Sequence, residues 1–285
     1  MGATRSFKQE LVSVFGQPVA ENPTQAMIEA AFLHHGLEWR YLTIEVAPRD
    51  LGAAVAGLRA MGFRGGNLTI PHKVAVIQHL DGLSEAAELM GAVNCIVRDG
   101  DRLIGENTDG KGFVQSLREV TNPQGKRVVI LGAGGAARAM AVELALAGVA
   151  EITIVNRDAG RGQSLADLLV QRKLAAARYV PWDGDFSVPA DTDVVINATS
   201  IGLFPDVDAR VSLNTNSLKP NMIVADVIPN PPQTRLVREA RARGCVVLDG
   251  LGMLVNQGVI GFRLWTGVDP DPSVMRRALE EVFAG

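Results

Sequence analysis

The chain has little of what marks membrane, secreted or nucleic-acid-binding proteins. Cysteine occurs only 2 times in 285 residues, aromatic residues make up 5%, and no apolar run is long enough to span a bilayer. The formal net charge of −3 argues against the basic surface that binds nucleic acid or anionic lipid. These shortages predict a protein with reduced thiols and with no nucleic-acid or membrane partner.

Signals for export and for metal binding are missing as well. The segment from Met1 to Glu10 is polar and has no apolar stretch of the kind found in secretion signals, so we expect a cytoplasmic protein. Cys95, Cys245 and the 4 histidines lack the spacing of metal ligands, and we expect no bound metal. The sequence leaves the oligomeric state open between a monomer and a homodimer.

Strands and helices alternate along the chain, which predicts an α/β fold. Apolar patterns indicate strands at Leu11 to Phe15, Tyr41 to Val46 and Gly66 to Ile70, with helices between them. A hairpin over residues 92–104 turns at an Asp-Gly pair. A helix ending at Val120 then leads into a second α/β block, so we place the hinge in or just before that helix.

The segment from Lys126 to Arg138, KRVVILGAGGAAR, carries the strongest motif. Its pattern predicts a buried strand that turns on glycines directly into a helix, followed by a second strand at Glu151 to Val155. Strand, glycine turn, helix and strand in this order form the first half of a dinucleotide-binding unit. A tight turn without a ligand is the alternative, but the polar end of the second strand favours a nucleotide site.

Each residue of the glycine turn has an expected role. Gly132 permits the tight turn, Gly134 lets the backbone approach a diphosphate, and Gly135 packs the helix against the strand. Ala133 and Ala136 complete the turn, and the helix N-terminus presents N–H groups and a positive dipole end to the phosphates. The motif therefore predicts a doubly wound Rossmann domain that binds a dinucleotide.

We place this Rossmann domain at residues 111–249. An α/β substrate-binding domain would comprise residues 1–110 and 250–285. The two C-terminal helices, predicted at Gly252 to Trp265 and Pro272 to Phe283, are assigned to it because their apolar periodicity suggests that they pack back on the hinge or on the first domain.

A lysine and an aspartate stand out as candidates for proton transfer. Lys73 follows a strand end in the segment Asn67-Leu-Thr-Ile-Pro-His-Lys73, and open α/β sheets place ligands at such ends. Asp109 stands at a loop-to-helix junction, where it could pair with Lys73 near a hydroxyl carbon. A solvated lysine and a helix-capping aspartate are the alternatives. His72 has no recognisable partner and is interpreted as a surface or supporting residue.

These motifs resemble the shikimate dehydrogenase family over nearly the whole chain. The matching segments occur together, in order and at the family's spacing. They are Val14–Pro18, Asn67–Lys73, Gly91–Asn94, Glu106–Gly110, Gly132–Arg138, Asn197–Gly202, Asp226 with Asn230-Pro231, and Gly250–Gln257.

The resemblance implies a fold, a reaction and a set of site residues. In that family a substrate-binding domain precedes the Rossmann domain, and the active site lies in the cleft between them. The reaction implied is NAD(P)-dependent reversible oxidation of shikimate or a close cyclic hydroxy acid, with Lys73 as the acid/base and Asp109 as its partner. Substrate hydroxyls would contact Asn67, Thr69, Asn94 and Gln257, and the nicotinamide would lie near Thr199 and Met253.

The sequence departs from the family where the substrate carboxylate should bind. The family's His-Ser-x-Ser-Pro run is here Glu21-Asn22-Pro23-Thr24-Gln25, so Asn22 and Thr24 replace two serines and Glu21 adds a negative charge. Pro229 stands where the family commonly has a tyrosine, and Asn256 where an apolar or aromatic residue is usual. Lost donors to a buried anion cost several kcal/mol, so we expect shikimate to be a poor substrate unless Asn22 and Thr24 bind it adequately.

The loop after the second strand of the Rossmann domain bears on the choice of cofactor. NADP-using members resemble Asn-Arg-Thr-x-x-Arg, and this chain keeps Asn156, Arg157 and Arg161 but has Asp158 in place of the threonine. A carboxylate repels a 2′-phosphate and accepts hydrogen bonds from a ribose 2′-OH. The cofactor is therefore NAD or NADP, with Asp158 favouring NAD; Arg157 either meets a phosphate or stacks on the adenine.

Two other functions remain open. One is a quinate, aminoshikimate or other polyol-acid dehydrogenase with poor shikimate activity. The other is a non-catalytic sensor that binds a ligand on the same fold, against which the retained Lys73 and Asp109 count.

Overall fold

The structure is a computed structural model that describes residues 7–284. Residues 1–6 of the N-terminal segment and Gly285 lie outside the described residues. The strands are β1 Glu10–Gly16, β2 Trp39–Glu45, β3 Gly65–Leu68, β4 Gly82–Leu83, β5 Cys95–Asp99, β6 Arg102–Glu106, β7 Arg127–Leu131, β8 Glu151–Asn156, β9 Ala176–Pro181, β10 Val194–Asn197, β11 Ile223–Asp226 and β12 Val246–Leu248. The helices are α1 Thr24–His34, α2 Leu51–Ala60, α3 His72–Ala75, α4 Glu85–Met90, α5 Thr108–Arg118, α6 Gly135–Leu146, α7 Ala159–Gln171, α8 Arg235–Ala242, α9 Gly250–Thr266 and α10 Pro272–Ala284.

The chain divides into two compact units. The first comprises Met1–Thr108 with Gly258–Gly285, and the second comprises Asp109–Gln257. The divisions fall at the start of α5 and within α9, so both helices continue from one unit into the other.

The first unit contains a six-stranded mixed sheet in the order β2-β1-β3-β5-β6-β4. β1 runs parallel to β2 and β3, whereas the β5–β6 hairpin enters antiparallel to β3. Its core includes Phe15, Leu58, Leu68 and Ile96, all nearly inaccessible to solvent. The terminal helix α10 packs against α1. Because β5 runs antiparallel to β3, its first residue lies beside the carboxyl end of β3.

The second unit contains a six-stranded parallel sheet in the order β12-β11-β10-β7-β8-β9. Its central strands β7, β10 and β11 are almost continuously apolar, as expected for parallel strands covered by helices on both faces. The chain direction across the sheet reverses between β7 and β10, which is where open α/β sheets bind ligands. This topology confirms the predicted Rossmann-type domain. Among residues 7–284 no helix combines the length and apolarity needed to cross a bilayer.

Close helix packing in the second unit depends on a glycine that sequence analysis did not single out. A Cβ atom on Gly110 of α5 would lie 2.3 Å from the Ala139 carbonyl oxygen of α6 and 2.7 Å from Cγ of Glu143. The expected role of Gly135, which was to pack α6 against the preceding strand, is not supported, because a Cβ on Gly135 would meet no atom within 4 Å. α6 therefore approaches α5 at Gly110 and leaves Gly135 open.

Replacing Gly110 with alanine is expected to lower the free energy of unfolding by about 1–3 kcal/mol, because the backbone of α6 must move to admit the methyl group. Gly160→Ala in α7 is the control, since its Cβ would make only an ordinary contact at 3.4 Å. Urea unfolding of both variants measures the difference. Equal stabilities of Gly110→Ala and wild type would contradict this close approach.

Candidate functional site

The amide of Asn67 is fixed at the carboxyl end of β3. Its Oδ1 accepts a hydrogen bond from the Tyr41 hydroxyl at 2.7 Å, and its Nδ2 donates to the Asn94 carbonyl at 3.1 Å. Tyr41 lies fully buried in β2, and burial raises the pKa of its hydroxyl well above the usual value. Asn67 therefore has one remaining amide hydrogen with which to bind an oxygen of a ligand. Sequence analysis missed Tyr41, because only the pairing of β2 with β1 brings it near β3.

Asn94, which precedes β5, is tied to the first residue of α5. Its Oδ1 accepts the Thr108 N–H at 2.7 Å, and its Nδ2 lies 3.0 Å from Thr108 Oγ1. Both side chains are at least nine-tenths buried. Asp109 follows in the first turn of α5, where the helix dipole favours an acidic side chain. The hydrogen bonds of Asn94 thus fix Thr108, the first residue of α5.

The turn from β3 into α3 carries Thr69 and Lys73, and both side chains are partly exposed. The Thr69 N–H donates to the Phe15 carbonyl at 2.9 Å, and the Val93 N–H donates to the Lys73 carbonyl at 2.8 Å. These bonds hold the backbone of the turn on both sides.

His72, beside Lys73, was interpreted as a surface or supporting residue. The surface interpretation is wrong. The ring is 1% exposed, and its Nε2 lies 2.7 Å from the Val46 carbonyl oxygen. This contact with Val46, the residue after β2, is not encoded by local sequence, and it makes His72 an anchor for the turn that bears Lys73.

The segment that replaces the family's serine run begins α1. Asn22 Oδ1 accepts the Thr24 N–H at 3.0 Å in a turn just before α1, so its acceptor oxygen is engaged and its Nδ2 remains as a donor. Thr24 is 5% exposed, whereas Glu21 is exposed to solvent. The segment thus offers an anion fewer hydroxyl donors than two serines would, and places a carboxylate beside them.

In the second unit, the glycine turn follows β7. Gly132 has φ 112°, a conformation that favours glycine, and its Cβ would lie 3.0 Å from the Ala198 carbonyl oxygen. Gly134 and Gly135 are exposed, and a Cβ on either would meet no atom within 4 Å. Gly134 caps the 12-residue α6 without a side-chain hydrogen bond. Ala133 and Ala136, on either side, are partly exposed. The open backbone and helix N-terminus fit the diphosphate of a dinucleotide.

The loop at the end of β8 is held by its own side chains. Asp158 caps α7 by accepting the Arg161 N–H at 3.0 Å, and it also forms an ion pair with Arg161 Nε at 3.0 Å. These bonds hold the pKa of the Asp158 carboxyl below its usual value. Asn156 Nδ2 donates to the Asp158 carbonyl at 2.8 Å, and Arg157 is exposed. The carboxylate expected to repel a 2′-phosphate is thus partly neutralised by Arg161.

Thr199 follows β10 and lies beside the glycine turn. Its Oγ1 donates to Asn197 Oδ1 at 2.7 Å, and its methyl carbon would lie 3.1 Å from a Cβ on Gly132. The unit therefore brings together two predicted parts of the cofactor site that are far apart in sequence. Parallel pairing of β10 with β7 is the cause.

In α9, Met253 is partly exposed and Gln257 is 7% exposed. Asn256, between them in sequence, is 4% exposed, and its Nδ2 donates to Ser116 Oγ at 2.9 Å and Glu119 Oε1 at 3.0 Å. The amide at position 256 thus joins α9 to α5. Its departure from the family pattern is explained by helix packing and gives no support to an altered carboxylate site.

Metal binding receives no support from the described part of the chain. It holds no group of three or more histidine, cysteine, aspartate and glutamate side chains arranged as a metal ion would need.

Three protein-family models each match a part of the chain. They are the shikimate dehydrogenase substrate binding domain at residues 14–96, the shikimate/quinate 5-dehydrogenase domain at 115–231, and the shikimate 5'-dehydrogenase C-terminal domain at 250–280. The last two matches fall on the Rossmann-type unit and on the helices α9 and α10.

Three relatives illustrate the range of the similarity. The NADP(+) shikimate dehydrogenase of Desulforamulus reducens is 41% identical over 281 residues, covering 97% of each chain. The 5-ketofructose reductase of Gluconobacter sp. strain CHM43, in the crystal structure of its ligand-free form, is 54% identical to this chain. The match covers 98% of this chain and 100% of the reductase chain, with a TM-score of 0.96. Shikimate 5-dehydrogenase of Listeria monocytogenes, in complex with shikimate and NAD, is 32% identical with a TM-score of 0.90, over 98% of this chain and 99% of its own.

These similarities support part of the cofactor expectation. The relatives include an NADP(+) enzyme and a structure that contains NAD, so the use of a nicotinamide dinucleotide is supported and the expected preference for NAD is not. The chain is an NAD(P)-dependent oxidoreductase that acts on a CH–OH group. With family models matching most of its length, and relatives above 40% identity covering nearly all of it, the chain belongs to the shikimate dehydrogenase family.

Proposed function

We propose that the protein reduces the ketone of a neutral polyhydroxy compound, of the kind represented by 5-ketofructose, with NADPH as the hydride donor. The observation that carries this proposal is the 54% identity, over essentially both chains, to a 5-ketofructose reductase. The shikimate dehydrogenase of D. reducens is more distant, at 41% identity. Reduction of 3-dehydroshikimate is the second candidate, favoured by that relative.

The carboxylate end of the site supports a neutral substrate. When shikimate binds, its carboxylate loses the water molecules around it, and hydrogen-bond donors of the protein must replace them. This chain offers an Asn22 amide whose oxygen already accepts the Thr24 N–H, a buried Thr24 and an exposed Glu21. Pro229 lacks the hydroxyl that a tyrosine would bring. A ketose has no carboxylate, so the absence of these donors costs it no hydrogen bond.

Proton transfer is assigned to Lys73. A bound nicotinamide would supply the hydride for the ketone carbon, and the carbonyl oxygen must receive one proton to become a hydroxyl. The Lys73 ammonium gives that proton during reduction and takes it back during oxidation, with Asp109 as its charged partner. The roles of Asn67, Thr69, Asn94 and Gln257 are to bind substrate oxygens, and Asn67 acts there through its remaining amide hydrogen.

Cofactor binding is assigned to the second unit. The backbone from Gly132 to Ala136 would hold the diphosphate, Thr199 and Met253 would hold the nicotinamide end, and Arg157 and Arg161 would hold the adenosine 2′-phosphate. We propose NADP rather than NAD, because Arg161 pairs with Asp158 and limits its repulsion of a phosphate. Asp158 then weakens the preference for NADP without abolishing it.

Asp158→Thr is expected to raise the ratio of kcat/KM for NADPH to that for NADH severalfold. Threonine still caps α7, but it removes the negative charge and releases Arg161 to a phosphate. Asp167→Asn, an exposed change in the same helix, is the control. Steady-state kinetics with both cofactors measures the ratio, and a ratio equal to that of wild type would show that Asp158 does not set cofactor choice.

The substrate proposal is tested by initial rates with 5-ketofructose and 3-dehydroshikimate, each with NADPH and with NADH. We expect kcat/KM for 5-ketofructose to exceed that for 3-dehydroshikimate by about a hundredfold, the equivalent of one or two lost hydrogen bonds to an anion. A preference for 3-dehydroshikimate would overturn the proposal in favour of the second candidate. Binding without turnover of either ketone would favour a sensor.

A further inference from the structure

A buried carboxylate lies at the end of β11, outside the set of residues assigned above. Asp226 is 3% exposed and accepts three hydrogen bonds, from Asn197 Nδ2 at 3.1 Å, the Ile228 N–H at 3.2 Å and Thr234 Oγ1 at 2.7 Å. Burial raises the pKa of the Asp226 carboxyl, while these donors act in the opposite direction. Such a group links the ends of β10 and β11 to the start of α8.

This carboxylate dictates how the Asn197 amide is turned. Because Asp226 presents acceptor oxygens, the Asn197 NH₂ group must face it, and Oδ1 must face the other way. Oδ1 there accepts both the Thr199 N–H at 3.2 Å and Thr199 Oγ1 at 2.7 Å. A flipped amide would set its NH₂ group against the Thr199 N–H. The orientation of Asn197 therefore has one favourable solution.

The same bonds fix the rotamer of Thr199. Its hydroxyl donates to Asn197 and accepts the Ile201 N–H at 3.2 Å, so both functions are used within the turn. The methyl group is then directed toward Gly132, the first glycine of the proposed cofactor turn. A continuous path of contacts thus runs from Thr234 through Asp226, Asn197 and Thr199 to that turn.

We infer that Asp226 and Thr234 are positioning residues, which hold Thr199 and the turn over residues 198–202 in the conformation that receives the nicotinamide end of the cofactor. The inference rests on the proposed function, since that function places the nicotinamide near Thr199. Neither residue touches the cofactor; each acts through Asn197. Their loss should impair hydride transfer more than cofactor affinity, because the diphosphate and adenosine bind elsewhere in the unit.

Thr234 allows a matched pair of variants. Thr234→Val keeps the size of the side chain but removes the hydroxyl that donates to Asp226 and accepts the Val237 N–H at 3.3 Å. Thr234→Ser keeps that hydroxyl. Asn214→Ala removes a side-chain cap from another turn of the same unit and controls for destabilisation alone. Asp226→Asn is the second test, since the NH₂ group of the new amide would face the groups that now donate hydrogen bonds to Asp226.

The first readout is hydrogen exchange of the peptide covering residues 197–202 in the cofactor-free protein. We expect exchange to become about tenfold faster in Thr234→Val and Asp226→Asn, and to stay near wild type in Thr234→Ser and Asn214→Ala. This readout needs no turnover. Wild-type exchange in both Thr234→Val and Asp226→Asn would overturn the inference.

The second readout separates binding from chemistry. For Thr234→Val we expect kcat to fall about tenfold with a larger primary isotope effect from 4-deuterated NADPH, while the Kd of NADPH changes less than about threefold. A lowered Tm with unchanged kcat and isotope effect would show a purely structural role. Absence of turnover in the wild type would refute the proposed function, and the exchange experiment would still decide whether the turn is held by Asp226.

Discussion

Lys73→Ala is expected to lower kcat by about 10²–10⁴-fold, the usual contribution of a general acid or base, while KM for the ketone changes little. The reason is that the alkoxide formed by hydride addition must be protonated, and Lys73 is the group assigned to that step. Steady-state kinetics measures kcat and KM, and the Kd of NADPH tests whether the cofactor still binds.

Two further variants test whether the loss of activity comes from losing the transferable proton of Lys73. Lys73→Arg keeps a positive charge but carries a guanidinium that does not release its proton near neutral pH, so it should be nearly as slow as the alanine variant. Lys219→Ala, an exposed lysine in the second unit, should behave as wild type. A kcat for Lys73→Ala within about threefold of wild type would remove Lys73 from the catalytic role. High activity of Lys73→Arg would mean that charge alone matters.

Restoring donors for a carboxylate is expected to shift activity toward 3-dehydroshikimate. Asn22→Ser and Pro229→Tyr reintroduce the hydroxyls that the family places on the substrate carboxylate. Since a hydrogen bond to a charged group contributes about 1.5–3 kcal/mol, each change should raise kcat/KM for 3-dehydroshikimate by about tenfold or more. The same changes should lower or leave unchanged kcat/KM for 5-ketofructose, which has no carboxylate to bind the new hydroxyls.

The single variants and the double variant should be compared with both ketones. Thermal unfolding checks that Pro229→Tyr still folds, and Asn22→Ser provides an independent test if it does not. Glu38→Gln, a change at an exposed glutamate of the first unit, serves as a control for altered surface charge. If wild type already reduces 3-dehydroshikimate efficiently and neither variant improves it, Asn22 and Thr24 are adequate carboxylate ligands and the neutral-substrate proposal fails.

Local signals explain which parts of the fold were predictable. The strand–glycine–helix pattern at Gly132 requires only neighbours in the chain, and the structure places β7, the turn and α6 there. Sequence patterns also located the β5–β6 hairpin and the end helices. The helices α4, α7 and α8 are not among the predicted elements, although α8 has the apolar face, with Leu236, Val237 and Ala240 buried, that helical periodicity indicates.

Roles that depend on packing were not predictable in the same way. Gly135 belongs to the recognisable glycine turn and Gly110 does not, yet of these two only Gly110 faces another backbone closely. Asn256 looked like part of an altered substrate site, but its amide binds Ser116 and Glu119. The residues that Gly110 and Asn256 contact are far away in sequence, so no local periodicity or motif predicts these contacts.

The sequence by itself determined the alternation of elements, the glycine turn and the identities of the reactive side chains, since these follow from local periodicity and residue chemistry. Only the tertiary structure decided that Tyr41 fixes Asn67, that His72 is buried against Val46, and that Asp226 orients Asn197. Strand pairing brings Tyr41 to Asn67 and Asp226 to Asn197, and the packing of α3 brings His72 to Val46. Burial then makes each hydrogen bond obligatory because water is no longer available to replace it.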